Sequence, residues 1–322
     1  MPRTDIEAIV EAVVAELRAG GHLSEAGSAG TGAGSTPSSA VSGTTAAAST
    51  PPVDPDPTVP HIDLPDPSEP EQRYAVGVDD PIDPEGIANL RAATTARIAA
   101  GRSGPRPRTS SLLLFQGDHG VAQDAIYGTV DEDLLARFDL FRVGTEVTDQ
   151  DTYLLRPDLG RRLSAEAKAT IAERCVKGPQ VQIVVGAGLS AAAVNNQLGQ
   201  ILPVITDGLR AAGISLGTPF FIDHARVGVM NDVGEATDAE AVLLLIGERP
   251  GLGVADALSA YMGYRPRAGK TDADRDLICM ITDQGGTNPL EGGAYVVELL
   301  QQMLRHQASG VALRQATTGA ES

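Results

Sequence analysis

From Arg161 onward, short, mainly apolar runs alternate with amphipathic stretches, and this alternation limits the fold more than any other feature. Val181-Gln182-Ile183-Val184-Val185, Thr218 to Arg226, Ala241 to Ile246 and Leu277 to Thr282 read as strands. Between and after them come helix-period segments: Ser164, as cap, to about Cys175; Ser190 to about Ala212; and two more at about 254–263 and 289–306. Continuous apolar strands separated by helices form a mostly parallel sheet buried on both faces. The expected fold is therefore a Rossmann-like α/β domain over about 161–310, with a flexible tail at 311–322.

The preceding stretch, 73–160, reads as a small helical domain. Asp83-Pro84-Glu85 is a helix start with proline at its first turn. Ile87, Leu90, Ala93, Thr94 and Ile98 continue its face, and Gly101 ends it. Thr109 or Ser110 caps a second helix through Leu112, Leu113 and Phe115, and Asp131-Glu132-Asp133 opens a shorter one.

Residues 22–72 are rich in Gly, Ser, Thr and Ala, then in Pro and Asp. Such a stretch has too little apolar surface to offset ordering entropy and is expected to be a disordered linker. Ahead of it, within 1–21, Ile6, Ile9, Val10, Val13, Val14 and Leu17 fall on one helical stripe, with Thr4 and Glu7 as a capping box and Gly20-Gly21 as the stop. A helix this short needs a surface to bury its stripe against. That surface is its own core or, given the long tether, another protein.

Composition removes several classes. The formal net charge of −17 disfavours a general nucleic-acid or anionic-membrane binder. No apolar run approaches the ~20 residues of a membrane span. Cys175 and Cys279 have no metal-type spacing, which suits a reducing cytoplasm. Only three residues, Lys168, Lys177 and Lys270, are lysine, so arginine carries nearly all positive charge.

In an open α/β sheet, ligands bind at loops after the carboxyl ends of strands. Gly186-Ala187-Gly188-Leu189-Ser190-Ala191 fits G-x-G-x-x-A, the device of nucleotide dehydrogenases. The ribose-binding acid expected ~20 residues on would, however, fall inside the next helix near Asp207, and Asp223 comes too late. Ser190 lacks the glycine two residues later that a nucleophile elbow needs, because Ala192 stands there; it reads as a helix cap. The loop Gly247-Glu248-Arg249-Pro250-Gly251-Leu252-Gly253 has three glycines and an adjacent acid and base, and permits close backbone approach to a bulky ligand. The other strand ends are Arg226-Val227 and Asp283-Gln284-Gly285-Gly286-Thr287. The five histidines, His22, His61, His119, His224 and His306, assemble no metal or acid–base cluster. No catalytic constellation emerges, which points to a binding subunit.

Gly101-Arg102-Ser103-Gly104-Pro105-Arg106-Pro107-Arg108-Thr109 resembles the G-R-x-G-P-R-P-R-T signature of the ethanolamine ammonia-lyase small subunits. Tyr153-Leu154-Leu155-Arg156-Pro157-Asp158-Leu159-Gly160-Arg161-Arg162-Leu163, Gly188-Leu189-Ser190, Gly217-Thr218-Pro219-Phe220-Phe221 and the Gly247–Gly253 loop resemble that family too, in order, over about 82–310. The resemblance implies a lyase subunit, inactive alone, in a hetero-oligomer with a large barrel subunit that binds ethanolamine and carries most catalytic groups. It implies adenosylcobalamin at the junction of the two chains, a radical route to acetaldehyde and ammonia, and small-subunit cofactor contacts at positions matching Val227, Glu248 and Leu277. The family usually has cysteine at the third position, so Leu277 leaves a backbone or packing contact there, with Cys279 as a substitute. The D-x-H-x-x-G pattern that supplies a histidine ligand to cobalt elsewhere is absent. The N-terminal stripe is similar to helices that deliver enzymes into bacterial microcompartments, implying shell proteins as further partners, although such helices also drive self-association. A lone Rossmann oxidoreductase and a non-catalytic shell-cargo adaptor are the rival readings.

Overall fold

A computed structural model describes residues 75–94 and 96–318. The helix expected at 4–19 and the linker at 22–72 lie outside the described residues.

Helix α1 (Pro84–Ala92) starts where the Asp-Pro pair predicts, with the Asp83 carboxylate accepting from Gly86 N–H at 2.8 Å. It stops well short of Gly101. The Thr94 hydroxyl accepts from Ala96 N–H at 3.1 Å, and Ala99 turns into the left-handed region at φ 59°, so the chain leaves the helix path. Two short strands, β1 (Arg102–Ser103) and β2 (Arg106–Pro107), form a hairpin. Helix α2 (Thr109–Tyr127) follows, with Arg108, not Thr109 or Ser110, at the cap position and no side-chain cap bond. Helix α3 (Glu132–Arg137) is capped by Asp131 as expected.

The next element departs from the helical reading of 73–160. Strand β3 (Phe141–Gly144) is the edge strand of the main sheet. With four residues and a central arginine it is too short and too polar to announce itself. Helix α4 (Gln150–Leu155), a 3₁₀ turn (Leu159–Arg161) and helix α5 (Ala165–Arg174) lead to β4 (Val181–Gly186). Ser164 caps α5 through Ala167 N–H at 3.0 Å. Then come α6 (Ala191–Ala211), β5 (Phe220–Asp223), a 3₁₀ turn (Val227–Val229) running into α7 (Met230–Thr237), and β6 (Ala241–Ile246).

The stretch expected to be helical at 254–263 is strand β7 (Leu258–Tyr264), antiparallel to β6. Its Ala, Leu and Met content favours helix. Pairing decides instead: Leu258, Ala260 and Met262 enter one core cluster while Tyr261 packs on the opposite one. Strand β8 (Arg275–Ile281) closes the sheet antiparallel to β7, with an irregularity between Leu258 and Ala260. Helix α8 (Pro289–His306) follows. Residues expected to fray instead hold α9 (Val311–Thr318). Leu313 is buried, and the Gly310 N–H ahead of the helix donates to the Asp276 carboxylate at 2.6 Å, so the helix start is tied to β8.

The strand order is β3-β5-β4-β6-β7-β8, and β3, β5, β4 and β6 run parallel. This is an α/β fold on a mostly parallel six-stranded sheet. Every residue of β4 and β6 is buried, because α6 and α8 cover one face and α5 and α7 the other. Leu244, fully buried at the centre of β6, has no room to give way. Leu244→Ala is expected to lower unfolding stability by about 2–5 kcal/mol, seen as a lower urea midpoint with unchanged slope. Leu155→Ala, at a site 79% exposed, is the control expected to stay within about 0.5 kcal/mol. Equal effects would contradict this core assignment.

Candidate functional site

The parallel strands end at one edge of the sheet, and a cleft of about 850 Å³ opens there on the face covered by α5 and α7. Val227 and Glu248 both line it. Each reaches the cleft through a loop held by identifiable bonds.

Val227 sits four residues beyond β5, after a sharp turn at His224, φ 52°. The segment from Tyr153 to Leu163 clamps this loop. Tyr153 is fully buried, and its hydroxyl donates to the Ala225 carbonyl at 2.8 Å. Arg226 lays its guanidinium 4.3 Å from the Tyr153 ring centre and donates to the Tyr153 carbonyl at 3.0 Å. Arg226 N–H donates to the Gly160 carbonyl at 2.8 Å. Gly160 is required: a Cβ there would collide with the Arg226 side chain and the His224 carbonyl. Leu163 N–H donates to the Asp232 carboxylate at 2.9 Å, which also pairs with Lys168 at 2.8 Å. The Tyr153–Leu163 motif thus positions Val227, a role that sequence reasoning missed although it had marked the motif itself.

Glu248 follows β6 directly. The Gly247 carbonyl accepts from both Leu189 N–H and Ser190 N–H at 2.7 Å, which fixes where Glu248 leaves the sheet. Its carboxylate is then oriented from β7. The Tyr261 hydroxyl donates to Oε2 at 2.6 Å, and the Ser259 hydroxyl donates to Oε1 at 3.2 Å. Each oxygen keeps a further lone pair for a ligand donor. Glu248 is half-buried, so those sites face the cleft and not the core.

Leu277 is not part of the lining. It pairs across β7–β8 with Tyr261, on the same sheet face, and is 44% exposed at the edge strand. Cys279 is exposed on the same strand. The structure therefore brings Val227 and Glu248 together and sets Leu277 one strand outward.

The lining mixes apolar floor residues (Ala225, Val227, Ile246) with charges of both signs. Two guanidinium groups in it, those of Arg226 and Arg275, are held at their tips yet leave a buried Nε–H without an acceptor. Arg275 donates to Asp272 at 2.6 Å and to Asn231 at 3.2 Å. An unpaired buried donor is costly. Among the described residues, no group of three His, Cys, Asp or Glu side chains stands ready to hold a metal ion.

The Gly186–Ala191 loop serves a structural purpose. Two N–H groups that would hold an anion are spent on the Gly247 carbonyl, and Ala193 N–H is spent on the Ser190 hydroxyl at 3.1 Å. That hydroxyl in turn donates to the Ala255 carbonyl at 2.7 Å. Gly188, at φ 60°, lets the loop pass against Gly247, where a Cβ would strike its carbonyl oxygen. The geometry favours neither dinucleotide binding nor nucleophilic use of Ser190. Asp223, at the end of β5, pairs with Arg142 at 2.5 Å, yet burial keeps its pKa above the usual carboxylate value.

The family model described as ethanolamine ammonia-lyase light chain (EutC) matches residues 84–314. The chain is also similar to the ethanolamine ammonia-lyase small subunit of Clostridium perfringens, at 43% identity over 251 residues, 78% of this chain and 85% of that protein. Among the described residues, no helix is long and apolar enough to cross a membrane.

The cleft tyrosines provide a test in alkali. Burial, partly opposed by Arg226, pushes the Tyr153 phenol from 10.0 up to about 12. Tyr261 is also raised, by burial first and then by its bond to Glu248 and that group's negative charge. A raised phenol pKa means that the folded chain keeps a proton the unfolded chain has released, so stability declines as pH climbs from 10.0 to about 12. Tyr261→Phe is expected to flatten that decline in urea midpoints taken from pH ~9 upward. An unchanged slope would contradict the burial of this phenol.

Proposed function

Since the chain belongs to the ethanolamine ammonia-lyase light-chain family, we propose that it forms half of a cobalamin cradle, completed by a large subunit that carries the substrate and most catalytic groups. The observation that carries this reading is the meeting of Val227 and Glu248 on one wall of a cleft at the carboxyl edge of the sheet. A corrinoid with its nucleotide tail exceeds a drug-sized ligand, and a cleft of about 850 Å³ is at the upper end of sites for such ligands, so a second wall is needed.

The residues fit the group. Val227 offers apolar surface to the corrin face, over a buried floor that includes Ala225 and Ile246. The Glu248 carboxylate has free lone pairs for peripheral amide N–H groups, and Arg226 and Arg275 set positive charge beside the cleft that suits amide carbonyls or phosphate. When bound, adenosylcobalamin supplies cobalt–carbon homolysis, the source of the radical chemistry that turns ethanolamine into acetaldehyde and ammonia. This chain's residues bind and orient. Tyr261 and Ser259 hold the Glu248 carboxylate, the Tyr153 clamp holds Val227, and Leu277 extends the apolar surface outward along β8.

The same proposal covers the finer readings of the chain. The four parallel strands with helices on both faces support a Rossmann-like description of the sheet domain. Residues 1–72 would then act as a handle toward microcompartment shell proteins in the cytoplasm, a reading that rests on the Ile6–Leu17 sequence stripe and on resemblance.

The test is reconstitution with the large subunit and adenosylcobalamin. Ethanolamine turnover and a corrin absorbance spectrum are expected only with both chains present. In that complex Glu248→Ala is expected to weaken coenzyme binding about 10- to 100-fold, the cost of one hydrogen bond to a charged group. Unchanged coenzyme affinity, or turnover by the large subunit alone at the full rate, would refute the reading.

A further inference from the structure

The segment from Val76 to Tyr127 is built from elements that cannot hold themselves in water. Helix α1 has nine residues and none is buried, and Ile82 just ahead of it is fully exposed. The β1–β2 hairpin is two residues a side, turned at Gly104 with φ 59°, and is exposed throughout. An isolated hairpin is marginal in water, as is a helix of this length. Helix α2 is long, yet only Ala122 and Ala125 are buried. Leu113, Val121 and Tyr127 are 60%, 53% and 62% exposed, and Leu112 and Phe115 are exposed as well. At 100° per residue these five side chains lie on several sides of the helix, and a helix apolar all round is normally an enclosed one.

The middle of this arm, between acidic ends that hold Asp79, Asp80, Asp83 and Glu85 on one side and Asp118 and Asp124 on the other, carries a charge opposite to that of the rest of the molecule. Between Gly86 and Gly117 there are five arginines and no Asp or Glu, in a chain of net charge −17. Arg97 pairs with Asp118, and Arg108 with Asp79. Arg102 and Arg106, on the exposed hairpin, make no ion pair among the described residues; Arg102 bonds only the Pro105 carbonyl, at 2.9 Å. The arm is also continuous with the cleft. Gln150 at the start of α4 donates to the Ile126 carbonyl at 2.8 Å. Leu155 at the end of α4 is 79% exposed, and the next residues, Pro157 and Asp158, line the cleft.

We infer that α1, the β1–β2 hairpin and α2 form a clamp that seats in an apolar groove rimmed by carboxylates on the large subunit. This rests on the reading of the cleft as a half-site. The charge pattern selects the occupant. Pairing of this face with the same face of a second copy about an axis through the hairpin would bring Arg102 and Arg106, unpaired among the described residues, against their own equivalents. A partner of complementary sign removes that repulsion and buries Leu113, Val121 and Tyr127. Contiguity with the cleft then lets a single partner both grip the arm and close the site.

The experiment uses the full chain with the large subunit, measuring association by analytical ultracentrifugation or surface capture, with circular dichroism to confirm folding. Leu113→Glu and the double substitution Arg102→Glu/Arg106→Glu change exposed residues and should leave the fold intact. Each is expected to weaken association at least tenfold, while Arg210→Glu, at the far end of α6 from α2, changes it less than twofold. Wild-type association with both arm variants binding equally well overturns the clamp and leaves the cradle reading standing. Arm variants that bind normally but lose self-association assign the face to a second copy and also overturn it. Failure of the wild-type chain to bind the large subunit at all overturns both readings.

Discussion

Strands β4 and β6 are buried along their whole length, so they can meet a ligand only at their ends. Parallel pairing with β5 gathers those ends along one edge, and the loops leaving it are all polar backbone close to one another. Their packing is settled by a few bonds. The Gly247 carbonyl takes two N–H donors from the loop after β4, and Tyr153 reaches under the loop after β5. Each bond places one residue: Glu248 in the first case, Val227 in the second. The wall of the cleft is a direct consequence of how a doubly covered sheet satisfies its exposed ends.

The cleft carries polar groups already set in place for a ligand. Glu248 is aimed by two hydroxyls that it does not exhaust, and Arg226 and Arg275 are fixed at their tips with one donor each left over. Preorganised groups of this kind bind without paying for reordering. The arm at Val76–Tyr127 has the reverse character, with most of its large apolar side chains exposed. A preorganised cleft beside an exposed apolar arm fits the proposal that this subunit shares its working surface with another chain.

Much of this was legible in the residues. The runs at Val181 and Ala241 mark the central strands because burial on both faces demands nearly continuous apolar sequence, broken here only by the buried Gln182. Ser164, Asp83 and Asp131 marked helix starts because capping is a local affair. Strand β7 was misread as helix: a stretch rich in Ala, Leu and Met carries no sign of its partner, and only pairing with β6 makes it extended. Strand β3 was missed because an edge strand with a single neighbour can be short and charged. Val227 and Glu248 are singled out by the family resemblance, and the strand pattern puts both at strand ends, whereas the Tyr153–Leu163 clamp joins segments some 70 residues apart in sequence and leaves no local trace.

The central claim is that the edge bearing Val227 and Glu248 closes on a corrinoid. Amide hydrogen exchange in the reconstituted two-chain assembly, with and without adenosylcobalamin, tests it at residue level. The account predicts slowed exchange in the 224–229 and 247–253 loops when the coenzyme is added, with the opposite ends of β5 and β6 unchanged. Slowing confined to other segments, with those two loops unaffected, would contradict it.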